Sequence, residues 1–286
     1  MEGVKLADTS YREVRFHNSG QGIELAGMLL VPEGDGPFPA AVIIHGSGTS
    51  QRDNTWYLTL SGYLQQNGIV VLLPDKRGSE QSKGDWRTAS FPDLAGDAAA
   101  AVEFLEQQDQ VAITQTGVIG MSQGGHIAPL VPDRSDKVAF VVSVVGGAVP
   151  MRQALLYEEN HNLRQLGLLP GVSNAVAYLS AWHLVHVKQK EFWDAISGYD
   201  PLPYWRKIEV PALALYGQED TNVDAAVNAA RLRSLHKPNI EVEVYSGSGH
   251  ALEDPEGKGD RIFRADALQR IRDFIREVRA SEKREK

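Results

Sequence analysis

Four runs made up almost wholly of apolar residues, at 40–44, 69–73, 138–145 and 212–216, constrain this chain more than any other feature. A strand with one face in water alternates apolar and polar side chains, so a run of this kind must be covered on both faces. Strands covered on both faces belong to parallel sheets, whose neighbours are joined by crossovers. Residues 56–66 have helical spacing and lie between the first two runs. Ser90-Phe91-Pro92-Asp93 then opens another helix with a capping serine, a first-turn proline and an acid three past the cap. Leu94, Ala98, Ala101, Val102 and Leu105 form its apolar stripe.

Residues 11–17 alternate, and 23–31 are mostly apolar with a break at Gly27; with Asn18-Ser19-Gly20 between them they read as an antiparallel hairpin. Residues 32–39 form a Gly/Pro loop, 240–245 a last strand, and Leu268, Ile271, Ile275 and Val278 one face of a closing helix. The expected fold is α/β: a mostly parallel sheet with helices on both faces, entered by an antiparallel hairpin.

One interval breaks the alternation. Between 145 and 212 about four helical stretches pass with no strand candidate, which reads as an inserted helical cap at 148–207, set into a catalytic domain of 1–147 and 208–286. The interval holds Tyr157, Tyr178, Trp182, Trp193 and Trp205, most of them expected to form the cap's own core, with Tyr157, Trp182 and Trp193 the candidates for a substrate pocket. Glu158, Glu159, Arg164, Lys188, Lys190 and Glu191 interrupt it, so no long apolar face is expected.

Residues 116–125 run from an apolar stretch through Gly120-Met121-Ser122-Gln123-Gly124, a Gly-x-Ser-x-Gly pattern that reads as strand, sharp turn and helix start with a serine at the apex. Glycines two residues to either side let strand and helix pass closely. A glycine-rich turn whose serine merely caps the helix is the bland alternative. Three other loops weigh against it, each following a strand: His45-Gly46-Ser47-Gly48, Gly217-Gln218-Glu219-Asp220 and Gly247-Ser248-Gly249-His250. In open parallel sheets chemistry gathers at the carboxyl ends of the strands, and here it comes in the chain order serine, acid, histidine.

With these residues the chain resembles the α/β-hydrolase superfamily, from about Ile23 to Val278, and within it serine carboxylesterases. It is similar to dienelactone-hydrolase-like esterases and to serine peptidases of the aminopeptidase and prolyl-oligopeptidase groups. The resemblance implies Ser122 as nucleophile, Asp220 as acid and His250 as base, with Glu219 the rival for the acid. A serine hydroxyl is a poor nucleophile until an imidazole takes its proton and a carboxylate fixes the imidazole's tautomer. An oxyanion hole is expected from the N–H of Gln123 and, in the His45-Gly46-Ser47-Gly48 loop, from Ser47; the Gly46 N–H and the Ser47 hydroxyl are the alternatives there. Asp75-Lys76-Arg77-Gly78-Ser79 resembles a turn common in these hydrolases and is expected to hold an Asp75–Arg77 pair. His45 and His126 are read as structural.

The function expected is hydrolysis of esters with short to medium acyl chains through an acyl-enzyme on Ser122; a serine peptidase and a non-catalytic binding protein are the alternatives. A net charge of −8 argues against phosphate-backbone binding. The absence of cysteine removes thiolate catalysis and cysteine zinc sites. His183 and His186 have the spacing of a metal pair without a third ligand, so neither metal nor cofactor is expected. No run reaches the ~18 apolar residues of a membrane span. The first residues lack a signal peptide's apolar region, so a soluble, cytoplasmic protein acting on a small-molecule ester is expected, with homo-oligomerisation left open.

Overall fold

The computed structural model describes residues 10–257 and 263–282. Its sheet has eight strands among these residues: β1 (Arg12–Asn18), β2 (Ile23–Leu30), β3 (Phe38–Ile44), β4 (Val70–Pro74), β5 (Val111–Met121), β6 (Val138–Val144), β7 (Ala212–Gly217) and β8 (Ile240–Tyr245). They lie in the order β1-β2-β4-β3-β5-β6-β7-β8. The hairpin pairs β1 with β2, and β2 joins β4 antiparallel; every other neighbouring pair is parallel.

The uninterrupted apolar strands are explained by two cores, one on each face. Ala40, Val42, Ile44, Val70, Leu72 and Val118 point to a face covered by α2 (Phe91–Leu105) and α8 (Ala225–Arg233). Their neighbours Ala41, Ile43, Val71, Leu73, Ile119 and Met121 point to the other, covered by α1 (Thr55–Gln66) and α9 (Ala265–Glu282). Side chains alternate along a strand, so each strand serves both cores. The local signals act as read: Asn54 accepts from the Trp56 N–H at the start of α1, and Ser90 and Asp93 close a capping box on α2.

The remaining helices lie between β6 and β7 except for the short α3 (Gln123–Ile127) and the 3-10 helix that follows it at Ala128–Asp133. They are α4 (Met151–Gln165), α5 (Pro170–His183), a π-helical turn at Leu184–Lys188, α6 (Lys190–Ile196) and α7 (Leu202–Lys207). Trp193 and Trp205 are buried and join the core beside α2, which anchors this insertion to the sheet. The expectation of no apolar face needs correction. Leu166, Leu169, Val172, Tyr178, Leu179 and Trp182 are exposed, because α5 packs through its small residues Ser173, Ala177 and Ala181 and turns its larger ones outward. Among the described residues no helix is long and apolar enough to cross a membrane.

The closing helix packs Leu268, Ile271, Phe274, Ile275 and Val278 against the sheet. Ile271→Ala leaves a cavity in a fully buried seam, and a loss of about 2–5 kcal/mol in unfolding free energy is expected from urea titration.

Candidate active site

At the carboxyl end of β5 the backbone turns so sharply that Ser122 takes φ 55° and ψ −120°, a left-handed conformation rare for any residue with a Cβ. The turn works because two neighbours have no side chain. A Cβ on Gly120 would sit 2.0 Å from the Gly124 carbonyl oxygen, and one on Gly124 would sit 2.0 Å from the Ile44 carbonyl oxygen at the end of β3. The Ser122 N–H donates to the Val144 carbonyl (2.9 Å), tying the elbow to β6.

Ser122, His250 and Asp220 meet across long sequence separations. His250 Nε2 lies 2.8 Å from Ser122 Oγ, and His250 Nδ1 lies 2.8 Å from Asp220 Oδ2. The other carboxylate oxygen, Oδ1, accepts the N–H groups of Asn222 (2.8 Å) and Val223 (3.0 Å), which fixes the carboxylate plane. Asp220 is buried whereas Glu219 is exposed, so Glu219 does not fill the acid position. The acid and histidine loops touch backbone to backbone, where a Cβ on Gly217 would sit 2.2 Å from the Gly249 carbonyl oxygen. Two supports were not legible in the sequence: Trp56 Nε1 donates to the Ala251 carbonyl (2.9 Å), and the Tyr157 hydroxyl of α4 donates to the Asp220 carbonyl (2.8 Å).

The loop after β3 comes against the elbow, since a Cβ on Gly46 would lie 3.2 Å from Ser122 Cβ. The Gly46 N–H donates to the Tyr57 hydroxyl oxygen (2.8 Å) and is thereby committed. Ser47 follows Gly46 in this loop, and the Gln123 N–H, at the first position of α3, has no intrahelical acceptor. His45 donates from Nε2 to the Pro74 carbonyl (2.7 Å), and burial holds its pKa down at about 4, so it stays neutral and structural. His126 accepts the Gly147 N–H at Nδ1 (3.2 Å), also neutral because burial lowers its pKa to about 4.

The expected Asp75–Arg77 pair does not form. Asp75 takes a two-pronged ion pair from Arg52 (2.8 Å at each oxygen), and Arg77 pairs with Asp97 of α2 (2.6 and 2.7 Å). Arg52 stands in the loop before α1 and Asp97 on α2, so two side chains two residues apart part company. Lys76 between them is the polar residue the sequence left without a role. It is buried, and its Nζ donates to the Gly46 carbonyl (2.8 Å) and to Gln123 Oε1 (2.7 Å).

Two cavities flank the insertion. One, of about 930 Å³, is lined by Ser47, Trp86, Leu155, Glu158, Phe192 and Trp193 among others. The second, of about 390 Å³, is lined by His126, Tyr157, Asn160, Val223 and Asn228 among others. Trp193 and Tyr157 therefore line different cavities. Trp182 lines neither, being exposed and packed on His186. Among the described residues no cluster of His, Cys, Asp and Glu has the arrangement of a metal site.

A family model described as BAAT / acyl-CoA thioester hydrolase C terminal matches residues 99–256, over half of the chain. The chain belongs to this family. The matched stretch of the acyl-CoA thioester hydrolase family contains Ser122, Asp220 and His250. Esterase EstD of Thermotoga maritima is 27% identical over 83% of this chain and 60% of its own length. The uncharacterized peptidase YtmA of Bacillus subtilis is 26% identical over 85% of this chain and 87% of its own. The mouse peroxisomal succinyl-coenzyme A thioesterase is 22% identical over 79% and 52%. The chain thus spans little more than half the length of two of these three relatives. Among solved structures, an esterase from Pyrococcus furiosus superposes with a TM-score of 0.70 at 20% identity, over 95% of this chain and 92% of its own. The α/β hydrolase GrgF from Penicillium gives 0.69 at 19%, over 95% and 99%. The fold is the α/β-hydrolase fold.

The hydrogen bonds around His250 predict an asymmetry between adjacent acids. Asp220→Asn leaves the imidazole without a carboxylate to fix its tautomer, and kcat for an activated ester should fall by about 10⁴-fold, while Glu219→Gln should stay within about threefold of wild type. Steady-state kinetics on both folded variants check this.

Proposed function

We propose that this chain cleaves carboxylic esters of short to medium acyl chains by forming an acyl-enzyme on Ser122. The observation that carries the reading is the unbroken Ser122–His250–Asp220 relay, with both contacts at 2.8 Å. In this reading His250 takes the Ser122 proton as Oγ attacks the carbonyl carbon, and Asp220 stabilises the imidazolium. The N–H groups of Gln123 and Ser47 receive the developing oxyanion. His250 then returns its proton to the leaving alkoxide, and a water activated by the same imidazole releases the acid. No step needs a metal or cofactor.

The substrate class rests on the large cavity and on the relatives. Residues 148–207 act as a cap on the catalytic domain of 1–147 and 208–286. Leu155, Leu184, Phe192 and Trp193 give that cavity apolar wall, and Ser47 of the loop beside Ser122 also lines it. Glu158, Glu159, Lys188 and Lys190 on the same lining limit how far an alkyl chain can run without meeting charge. A thioester substrate is the second reading, favoured by the family match, because thioesters and esters pass through the same tetrahedral intermediate.

Ser122→Ala should abolish turnover, with a loss on the order of 10³-fold or more, while the fold persists by circular dichroism. Phosphonate labelling followed by peptide mass spectrometry should place the adduct on Ser122, and an adduct on Ser47 or Ser248 would overturn the assignment.

A panel of acyl esters tests the pocket. Acetyl to hexanoyl esters should exceed palmitoyl esters in kcat/KM, each methylene that fits contributing up to ~0.8 kcal/mol. A rate rising through palmitoyl, or a jump on adding emulsified triglyceride to the exposed face of α5, would make this a lipase. Faster turnover of aminoacyl amides than of any ester would make it a peptidase.

A further inference from the structure

A lysine buried without a carboxylate partner is costly, since desolvation penalises its charge and nothing nearby neutralises it. Lys76 is such a residue: among the described residues it forms no ion pair, and its Nζ is held by the Gly46 carbonyl and the Gln123 side-chain oxygen. Both acceptors have a particular place in the site. The Gly46 carbonyl belongs to the same peptide unit as the Ser47 N–H, and Gln123 supplies the other N–H assigned to the oxyanion. The ring of Trp86, which lines the large cavity, covers the ammonium with its centroid 5.1 Å from Nζ.

We propose that Lys76 is the positioning residue of the oxyanion hole, one ammonium fixing both halves of it and polarising the 46–47 peptide towards the transition state. This rests on the ester-hydrolase reading above and extends it. A peptide whose carbonyl accepts a charge-assisted hydrogen bond carries more positive charge on its own N–H, so Lys76 strengthens the Ser47 donor from behind. The same ammonium pulls on Gln123 Oε1 and sets the rotamer of the residue whose backbone completes the hole. No oxyanion contact is required of Lys76 itself. Its cost is repaid only as charge develops on the substrate oxygen, which is when a preorganised donor contributes most.

The groups around Lys76 leave its protonation to its own burial. Asp75 and Arg77 on its own loop are each committed to other ion pairs. His45 is neutral, the Tyr57 phenol is pushed up by burial, and Arg87 lies against the ring of Trp86. Burial lowers the Lys76 pKa to about 7. The charged form is therefore present at lower pH and lost as pH rises through neutrality.

The test is the pH dependence of kcat on p-nitrophenyl acetate for wild type, Lys76→Met and Lys76→Arg. Wild type should decline on the alkaline side. Lys76→Met should lose about 10²-fold in kcat with KM within about threefold, and should lose the alkaline decline as well. Lys76→Arg, which keeps its charge at all accessible pH, should recover much of kcat and show no decline. A lysine that merely braced the loop would lower stability without moving the pH profile. A Lys76→Met enzyme with kcat within about threefold of wild type, or one that retained the alkaline decline, overturns the proposal. A second measurement needs neither variant nor turnover: calorimetry of an alkyl trifluoromethyl ketone, whose adduct on Ser122 carries the oxyanion. Its affinity for wild type should weaken as pH rises through neutrality; affinity that is flat with pH, or no binding, overturns the role of Lys76. A chain that hydrolysed no ester would sink the reading it rests on, while the ketone titration still decided on Lys76.

Discussion

Everything at the candidate site depends on how closely two backbones can pass. The elbow carrying Ser122 presses the start of α3 onto the end of β3 until no methyl group fits between Gly124 and the Ile44 carbonyl oxygen. That contact brings the 45–48 loop against Ser122. A second contact of the same kind, Gly217 against Gly249, brings the acid loop and the histidine loop together. Side chains perform the chemistry, but their separations of 2.8 Å are set by backbone packing where side chains are missing.

The fold was legible because its signals are local and repeated. Runs such as 40–44 and 69–73 state their burial on both faces, and the capping box at Ser90 marks its helix from four letters of sequence. The residues now found within hydrogen-bonding reach, Ser122, Asp220 and His250, were visible for a different reason. Each ends a strand of one parallel sheet, and strand ends on one side of such a sheet must converge.

What was illegible is partner choice among charged side chains. Asp75 and Arg77 stand two apart, yet their partners are Arg52, in the loop before α1, and Asp97, on α2, and only the folded placement of these elements decides this. Lys76 was invisible for the same reason, because its acceptors are a carbonyl 30 residues earlier and an amide 47 residues later. The insertion was read correctly as helical, but its outer surface was not: α5 uses alanine and serine as its packing face, which sequence patterning takes for the weaker side.

The division of each central strand between two cores bears on how such a chain can change. Because Val42 and Ile43 serve opposite faces, one residue inserted into β3 would exchange the two sets of side chains along the rest of the strand. The strands are thus frozen in length by parity, whereas a loop at a strand end can gain any number of residues without disturbing either core. The interval between β6 and β7, which carries four helices here, shows how far that freedom extends. Divergence in what such a molecule accepts is channelled into such junctions, and the one after β6 leaves from the same end of the sheet as the elbow after β5.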